Sequence, residues 1–356
     1  MNTLNYNNSE IRFGALSDSG FNDLISTGRF KNAKKIIFTD EHIYDLWIEH
    51  FILENDSLRE AEIIQVPAGE SSKSIEICLQ LWETLSAYEI GRSDLIINIG
   101  GGMITDLGGF VASTYKRGIP FINVPTSLLA QVDASVGGKT GVDLGPFKNQ
   151  IGVFADADFV FIDTNFLTTL PEEEIKSGYA EMLKHGLIAY KSYWEDLTRI
   201  NPVSQSNKLL DRIKTSVAIK RDIVVEDHKE EGKRKILNFG HTIGHAVEGF
   251  FISQNKAIPH GFAVAAGLLT ESYISMQKKF ITPNDFDQIK NGLNELFELP
   301  LVKEADFPAI LNLMLNDKKN TTSGINFTLL KGIGNGSYNH IVPIEEIIPA
   351  LQLLVK

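Results

Sequence analysis

Residues 95–110, LIINIGGGMITDLGGF, carry an apolar β-branched run straight into Gly100-Gly101-Gly102 and then into a sequence that suits a helix. A strand that stops on glycines and resumes as a helix is the repeating unit of an α/β layer fold. Glycine lets the chain turn tightly there and leaves the first helical N–H groups open. Outward from this segment, short β-branched runs at residues 34–40, 62–66, 94–99, 120–124 and 159–163 alternate with amphipathic stretches. One such stretch, 74–88, sets Ile75, Leu79, Trp82 and Leu85 on one face and predicts a crossover helix. After Asp163 the strand-like texture fades, and helices are predicted over 172–190, 207–227, 240–251, 261–277, 283–296 and 308–316. The expected fold is therefore α/β, with a Rossmann-like, parallel-sheet domain over 1–165 followed by an all-helical domain over 166–356.

With 356 residues, 43% hydrophobic and 22% charged, the chain can bury a core, which excludes disorder as its main state. No apolar run approaches the roughly 18 to 20 residues of a membrane-spanning helix, and MNTLNYNNSEIRFG has no basic or apolar targeting region. A soluble, unexported, cytoplasmic protein is expected. The net charge of -11 repels polyanions and argues against nucleic acid as a partner. One cysteine, Cys78, allows no internal disulfide, so a metal site has to be built from histidines and carboxylates.

Three segments carry chemistry. In the first, Gly100, Gly102 and Thr105 fall one residue off a G-x-G-x-x-G fingerprint, and no acidic residue ends the following strand. The turn then either cradles a pyrophosphate or merely packs strand on helix. Asp40, closing an earlier strand, either holds a ribose hydroxyl or caps a helix. In the second segment, 124–154, a long polar, glycine-rich loop is expected to be functional. Its GGKT resembles the tail of a P-loop, but the first glycine of that motif would fall on Asp133, which excludes it. What remains is Lys139 and Lys148 with Asn149, either a phosphate clamp or two solvated lysines. In the third, His241 and His245 stand one helical turn apart, with His260 following. Two histidines with one carboxylate would hold a metal and leave a position open, and Glu181 and Glu248 are the carboxylate candidates. Arg117, Lys184, Lys220, Arg221, Lys233, Arg234 and Lys235 gather around these segments and suggest an anionic small molecule.

Taken together, PAGE with Lys73, GGGMITDLGGF, YKRG, VPTSLLAQVDASVGGKTGVD, KNQIG, SGYAEMLKHG, LNFGHTIGHAVE and the triplet Asp317-Lys318-Lys319 closely resemble the 3-dehydroquinate synthases. That resemblance implies an NAD- and zinc-dependent lyase turning 3-deoxy-D-arabino-heptulosonate 7-phosphate into 3-dehydroquinate and phosphate, with cobalt as a substitute metal and a homodimer as the assembly. It implies Glu181, His241 and His260 as metal ligands, with His245 moved to the phosphate side. It implies NAD contacts at Asp40, Glu70, Lys73, Gly101, Gly102, Met103, Ile104, Thr105, Asp106, Thr126, Ser127, Lys139 and Lys148. For substrate it implies Lys184, Lys220, Arg234 and Asn238 at carboxylate and hydroxyls, and Lys139, Asn149 and His245 at phosphate. Asp133 and Glu230 belong to the same set, Lys318 or Lys319 reaches it, and Arg117 serves the neighbouring subunit's site. Thr105, Ser127, His42 and the GVDLGPFKN loop depart from the family's usual residues while keeping hydrogen-bonding groups. Rival readings on the same fold are a cyclase of sedoheptulose 7-phosphate and a polyol dehydrogenase of the glycerol dehydrogenase kind. A non-catalytic nucleotide- or metal-binding protein is the rival from another class.

Overall fold

The computed structural model describes residues 2–145, 147–315 and 324–356, so Asn316, Asp317, Lys318 and Lys319 of the sequence reading lie outside the described residues. The chain divides into two compact units, one formed by Met1–Leu170 with Ser206–Arg221, the other by Pro171–Gln205 with Asp222–Lys356.

The first unit is built on strands β1 (Thr3–Tyr6), β2 (Ser9–Phe13), β3 (Lys35–Asp40), β4 (Glu62–Val66), β5 (Leu95–Gly100), β6 (Phe121–Pro125), β7 (Lys139–Leu144), β8 (Phe147–Phe154) and β9 (Phe159–Ile162). Seven of them form one sheet in the order β1-β2-β9-β6-β5-β3-β4. Its pairings are parallel except β1 with β2. The centre of the sheet is Ile-rich and buried on both faces, as a parallel sheet between helices requires. The β1–β2 hairpin was not foreseen. Its apolar residues are few, Leu4, Tyr6, Ile11 and Phe13 among polar neighbours at the sheet edge.

Two expectations are overturned in this unit. The crossover helix forms as Ile75–Ala87, capped by Ser74, but its buried stripe is Cys78, Leu81 and Leu85 while Leu79 is 56% exposed. The 124–154 segment is also no loop, since β7 and β8 pair antiparallel over 139–154 as a separate two-stranded sheet. Glycines and polar residues scattered through it hid it, with Gly141 facing Gly152. A Cβ on Gly152 would stand 2.5 Å from the Thr140 carbonyl oxygen, so the two backbones meet only because both positions are glycine.

Between β5 and β6 runs the Gly102–Thr114 helix, which lies so close to the sheet that a Cβ on Gly108 would fall 1.9 Å from Oδ1 of Asn98. Asn98 is fully buried and donates to Oδ1 of Asn123 at 2.8 Å, so it cannot swing away freely. Gly109 meets Thr140 of β7 in the same way, at 2.6 Å.

The second unit contains the helices Glu172–Ala189, Lys191–Leu197, His241–Ser253, His260–Gln277, Pro283–Leu296, Phe307–Leu315 and Ile344–Leu351. The Leu210–Glu226 helix straddles the division between the units at Arg221. An antiparallel hairpin of β10 (Ile325–Leu330) and β11 (Gly336–Val342) joins the helices, an addition to the all-helical expectation. Its inward residues Ile325, Phe327, Leu329 and Val342 complete a core with Ile243, Val247, Ala266, Ile310 and Ile347.

Gly108→Ala is expected to lower stability by about 1–3 kcal/mol, because the new methyl overpacks against Asn98. Gly249→Ala, inside the His241–Ser253 helix with only ordinary contacts at 3.6 Å and beyond, serves as the comparison. Thermal unfolding followed by circular dichroism checks the difference between the two.

Candidate active site

In the first unit, Gly101 ends the approach of β5 as N-cap of the Gly102–Thr114 helix and provides no side-chain cap. The first-turn N–H groups, from Gly102 through Met103 and Ile104, are therefore left for another acceptor, which suits the pyrophosphate of a dinucleotide. Thr126 donates its N–H to the Gly100 carbonyl at 3.0 Å, and Ser127 lies alongside, its Oγ 3.5 Å from where a Cβ of Gly101 would be. Thr105 turns its hydroxyl onto the Gly102 carbonyl at 3.1 Å and strengthens the first turn. One turn on, Asp106 pairs with Lys73 at 2.7 Å, and Glu70 stands 3.6 Å from the same ammonium. Burial pushes the Asp106 carboxyl up to about 6 despite the opposing charge of Lys73, and Lys73 itself is raised because its carboxylate neighbours outweigh its burial. Asp40 accepts the N–H groups of His42 and Ile43 at 3.0 and 3.1 Å, so in this structure it is a helix cap.

Lys220, carried in the Ser206–Arg221 segment of this unit, donates to the Asp133 carbonyl at 2.6 Å and to its carboxylate. Asp133 lies in the π-helical turn Ala130–Ala134 that follows β6. The clamp of Lys139, Lys148 and Asn149 is not assembled as one group. Lys139 pairs opposite Phe154 at the open end of the β7–β8 hairpin, whereas Lys148 and Asn149 lie at its turn end beside Asp143, roughly 13 Å along the strand. Their nine-residue spacing is that of a strand pair. Arg117 is exposed in a turn where Lys116, Arg117 and Gly118 are successively left-handed, at φ 49°, 68° and 107°. Two consecutive non-glycine residues in that region are strained. The turn is tied by Arg92, which donates to the Lys116 carbonyl at 3.0 Å, and by Lys116 on the Ile90 carbonyl.

The second unit brings Glu181, His241, His245 and His260 together. Glu181 projects from the middle of the Glu172–Ala189 helix with no solvent exposure. Nε2 of His241 stands 3.4 Å and Nε2 of His260 3.6 Å from its Oε1, and Lys184, one turn along, pairs with Oε2. Burial alone would raise this carboxyl, but Lys184 and His241 outweigh it and hold it well below the usual range. These contacts are close without hydrogen-bond geometry, since neither Glu181 oxygen has an aligned donor. A fully buried carboxylate faced by two imidazole nitrogens and lacking aligned donors fits a divalent cation.

The outer nitrogens are held as well. His241 Nδ1 contacts the Phe239 carbonyl at 3.2 Å, and His260 Nδ1 faces Oε2 of Glu248 at 3.4 Å, which leaves each Nε2 aimed inward. Glu248, one of two carboxylates the spacing left open, thus holds the outer nitrogen of His260 while Glu181 faces the Nε2 atoms. His260 is brought in by a close docking, for Gly261 donates to Ser177 Oγ at 2.8 Å and a Cβ there would lie 2.2 Å from Ser177 Cα. His245 shares this cluster, its ring edge-on to His241 at 4.9 Å between centroids, and it is exposed. Nearby in sequence, Asp227 accepts the N–H groups of Glu231, Gly232 and Arg234 and shapes the loop bearing Glu230. Arg234 then reaches the His228 carbonyl at 2.6 Å, and Asn238 donates to Glu230 at 2.6 Å. Of the remaining basic residues, Lys233 pairs with Glu226 and Arg221 bonds the Asn5 carbonyl, both structural roles.

Residues 63–177 match the family profile 3-dehydroquinate synthase N-terminal, and residues 178–320 match 3-dehydroquinate synthase C-terminal. The chain belongs to the 3-dehydroquinate synthase family. Its relatives include the 3-dehydroquinate synthase of Parabacteroides distasonis, 42% identical over 83% of this chain and 84% of that one. That of Thermoanaerobacter pseudethanolicus is 39% identical over 90% and 91%. Among solved structures, a 2-deoxy-scyllo-inosose synthase complexed with carbaglucose-6-phosphate, NAD+ and Co2+ superposes with a TM-score of 0.87 at 25% identity, covering 99% of this chain and 100% of that one. A 2-epi-5-epi-valiolone synthase from Streptomyces hygroscopicus shares the fold, with a TM-score of 0.84 at 24% identity over 99% and 97%.

In this member of the 3-dehydroquinate synthase family, Asp227 and the orienting role of Glu248 were missed from sequence. An aspartate five residues before Gly232 is the only local sign of the first, and nothing local marks the second.

His241→Ala and His260→Ala are each expected to abolish stoichiometric zinc binding, whereas His245→Ala keeps it. Metal analysis after dialysis checks this, and loss of zinc from His245→Ala would reverse the assignment.

Proposed function

We propose that the protein converts 3-deoxy-D-arabino-heptulosonate 7-phosphate into 3-dehydroquinate and inorganic phosphate, as a phosphate-eliminating lyase of the cytoplasm that consumes neither its NAD nor its metal. Family membership across both halves of the chain supports the reaction class. The observation that carries the reading is the buried Glu181 carboxylate, without an aligned donor and faced by the Nε2 atoms of His241 and His260.

Bound Zn2+ or Co2+ and bound NAD would supply, respectively, charge for the substrate oxygen and its transient oxidation and re-reduction. Glu181, His241 and His260 hold the metal. Gly101, Gly102, Met103, Ile104, Thr105, Asp106, Thr126 and Ser127, with Glu70 and Lys73, hold NAD. Lys184, Arg234 and Lys220 bind substrate carboxylate and hydroxyls as charge-assisted donors, with Asn238 oriented by Glu230. Lys139, His245 and Arg117 hold the phosphate as it departs. Cationic donors on a leaving dianion tighten as its charge builds, so they lower the barrier more than they strengthen binding. Asp133, whose carboxylate accepts from Lys220, is the proposed proton acceptor.

With catalytic NAD and zinc, the heptulosonate phosphate should release phosphate and 3-dehydroquinate in equal amounts with no accumulation of NADH, and a chelator should stop turnover until zinc or cobalt is restored. Net NADH would indicate the dehydrogenase reading. Turnover of sedoheptulose 7-phosphate in its place would indicate the other cyclase.

The proposed assembly is a homodimer in which Arg117 reaches the neighbouring subunit's phosphate. Arg117→Ala and Glu181→Ala should then each be nearly inactive, yet recover about a quarter of wild-type activity once subunits exchange. Half the dimers are mixed, and half of their sites carry neither lesion. An inactive Arg117→Ala that shows no recovery after verified exchange would make Arg117 serve its own subunit, and an active one would make it a surface charge.

Lys139→Ala is expected to reduce turnover by at least about tenfold with little change in melting temperature, because it removes an ion contact from an exposed side chain. Parallel activity and thermal unfolding measurements check this.

A further inference from the structure

His241 and His260 are the first residues of two helices, His241–Ser253 and His260–Gln277, that cross within the second unit. Where they cross, side chains are nearly absent. A Cβ on Gly267 would fall 1.8 Å from the Gly240 carbonyl oxygen, and one on Gly244 would fall 2.9 Å from the Ala263 carbonyl oxygen. The N-cap of the His241 helix is Gly240, at φ 80°, with no side chain to cap the first turn. That turn is buried, so its N–H groups need an acceptor from elsewhere. Glu271 supplies it from the facing helix. Its Oε2 accepts the Gly240 N–H at 2.6 Å and its Oε1 the Ile243 N–H at 3.0 Å, and the side chain is fully buried.

We infer that Glu271 is a positioning residue for the metal site, fixing the first turn of the His241 helix from across the glycine contact and so setting the direction of His241 Nε2. The inference rests on the metal reading given above. Ala263, Gly267 and Glu271 succeed one another at four-residue intervals and make one continuous seam along the His260 helix. The two bonds from Glu271 straddle His241 in sequence, one just before it and one two residues after. A carboxylate suits the task because its two oxygens take two N–H groups at once. A glutamine amide offers one acceptor and turns a donor on the other N–H.

The test compares Glu271→Gln and Glu271→Ala with the wild-type chain after stripping and reloading with Co2+. Affinity is read by chelator competition, the ligand field by the visible absorption of bound Co2+, and folding by circular dichroism. Co2+ is expected to bind at least about tenfold more weakly to Glu271→Ala and about threefold more weakly to Glu271→Gln, both with altered visible bands. A merely structural role would lower the melting temperature and leave affinity and spectrum of the folded protein unchanged, which would overturn the inference. Should Glu271→Ala not fold, the near-isosteric Glu271→Gln decides alone by the same criteria. Wild-type protein that takes up no Co2+ would overturn the metal reading and this inference with it, whereas wild-type behaviour in both variants overturns only the latter.

Discussion

A carboxylate without solvent must be met by opposite charge or by donors, and Glu181 imposes that requirement on the second unit. Lys184 answers it from the same helix. His241 and His260 answer it from the first residues of two others, and Glu248 and the Phe239 carbonyl fix the far side of their rings. The polar cluster is a set of mutually dependent placements, which is why a cation bound there would draw on the order of the whole helical unit.

What sets those placements is the absence of side chains at a few positions. Gly261 against Ser177, Gly267 against Gly240 and Gly244 against Ala263 bring the helix backbones closer than any Cβ permits. The first unit uses the same device, with Gly108 on Asn98 and Gly109 on Thr140 pressing the Gly102–Thr114 helix onto its sheet and onto the β7–β8 hairpin. Each glycine costs conformational entropy, and each gains a fixed distance between a backbone and a functional group.

Electrostatics in the first unit follow a related logic on a smaller scale. Lys73 is only 4% exposed on its side chain and would be driven towards the neutral form were Asp106 and Glu70 absent. The Lys73–Asp106 pair ties the turn after β4 to the helix that follows the Gly100–Gly102 turn, so a charge network and the dinucleotide-type cradle share one helix. Lys220 with Asp133 does the same for the π-helical turn after β6. The left-handed turn at Lys116 and Arg117 stores strain under an exposed arginine, held by Arg92 and Lys116 on neighbouring carbonyls.

The sequence by itself determined the parallel strands of the central sheet, the glycine turn, six helices within a few residues of their ends, and the histidines and carboxylate that the fold brings together, because these depend on local periodicity, breakers and residue chemistry. Long motifs in one order also carried the family. Local pattern misread the stripe of the Ile75–Ala87 helix, since Cys78 and Leu79 are both apolar and only the neighbouring elements decide which turns inward. It took the β7–β8 strands for a loop, because glycines and polar residues are interspersed through the ladder, with Gly141 facing Gly152. It could not choose between Glu181 and Glu248, because spacing along one helix does not show which carboxylate faces the Nε2 atoms of His241 and His260, which come from two helices. That decision belongs to tertiary structure, for a polar cluster drawn from three helices exists only once glycine contacts have set how closely the helices pack.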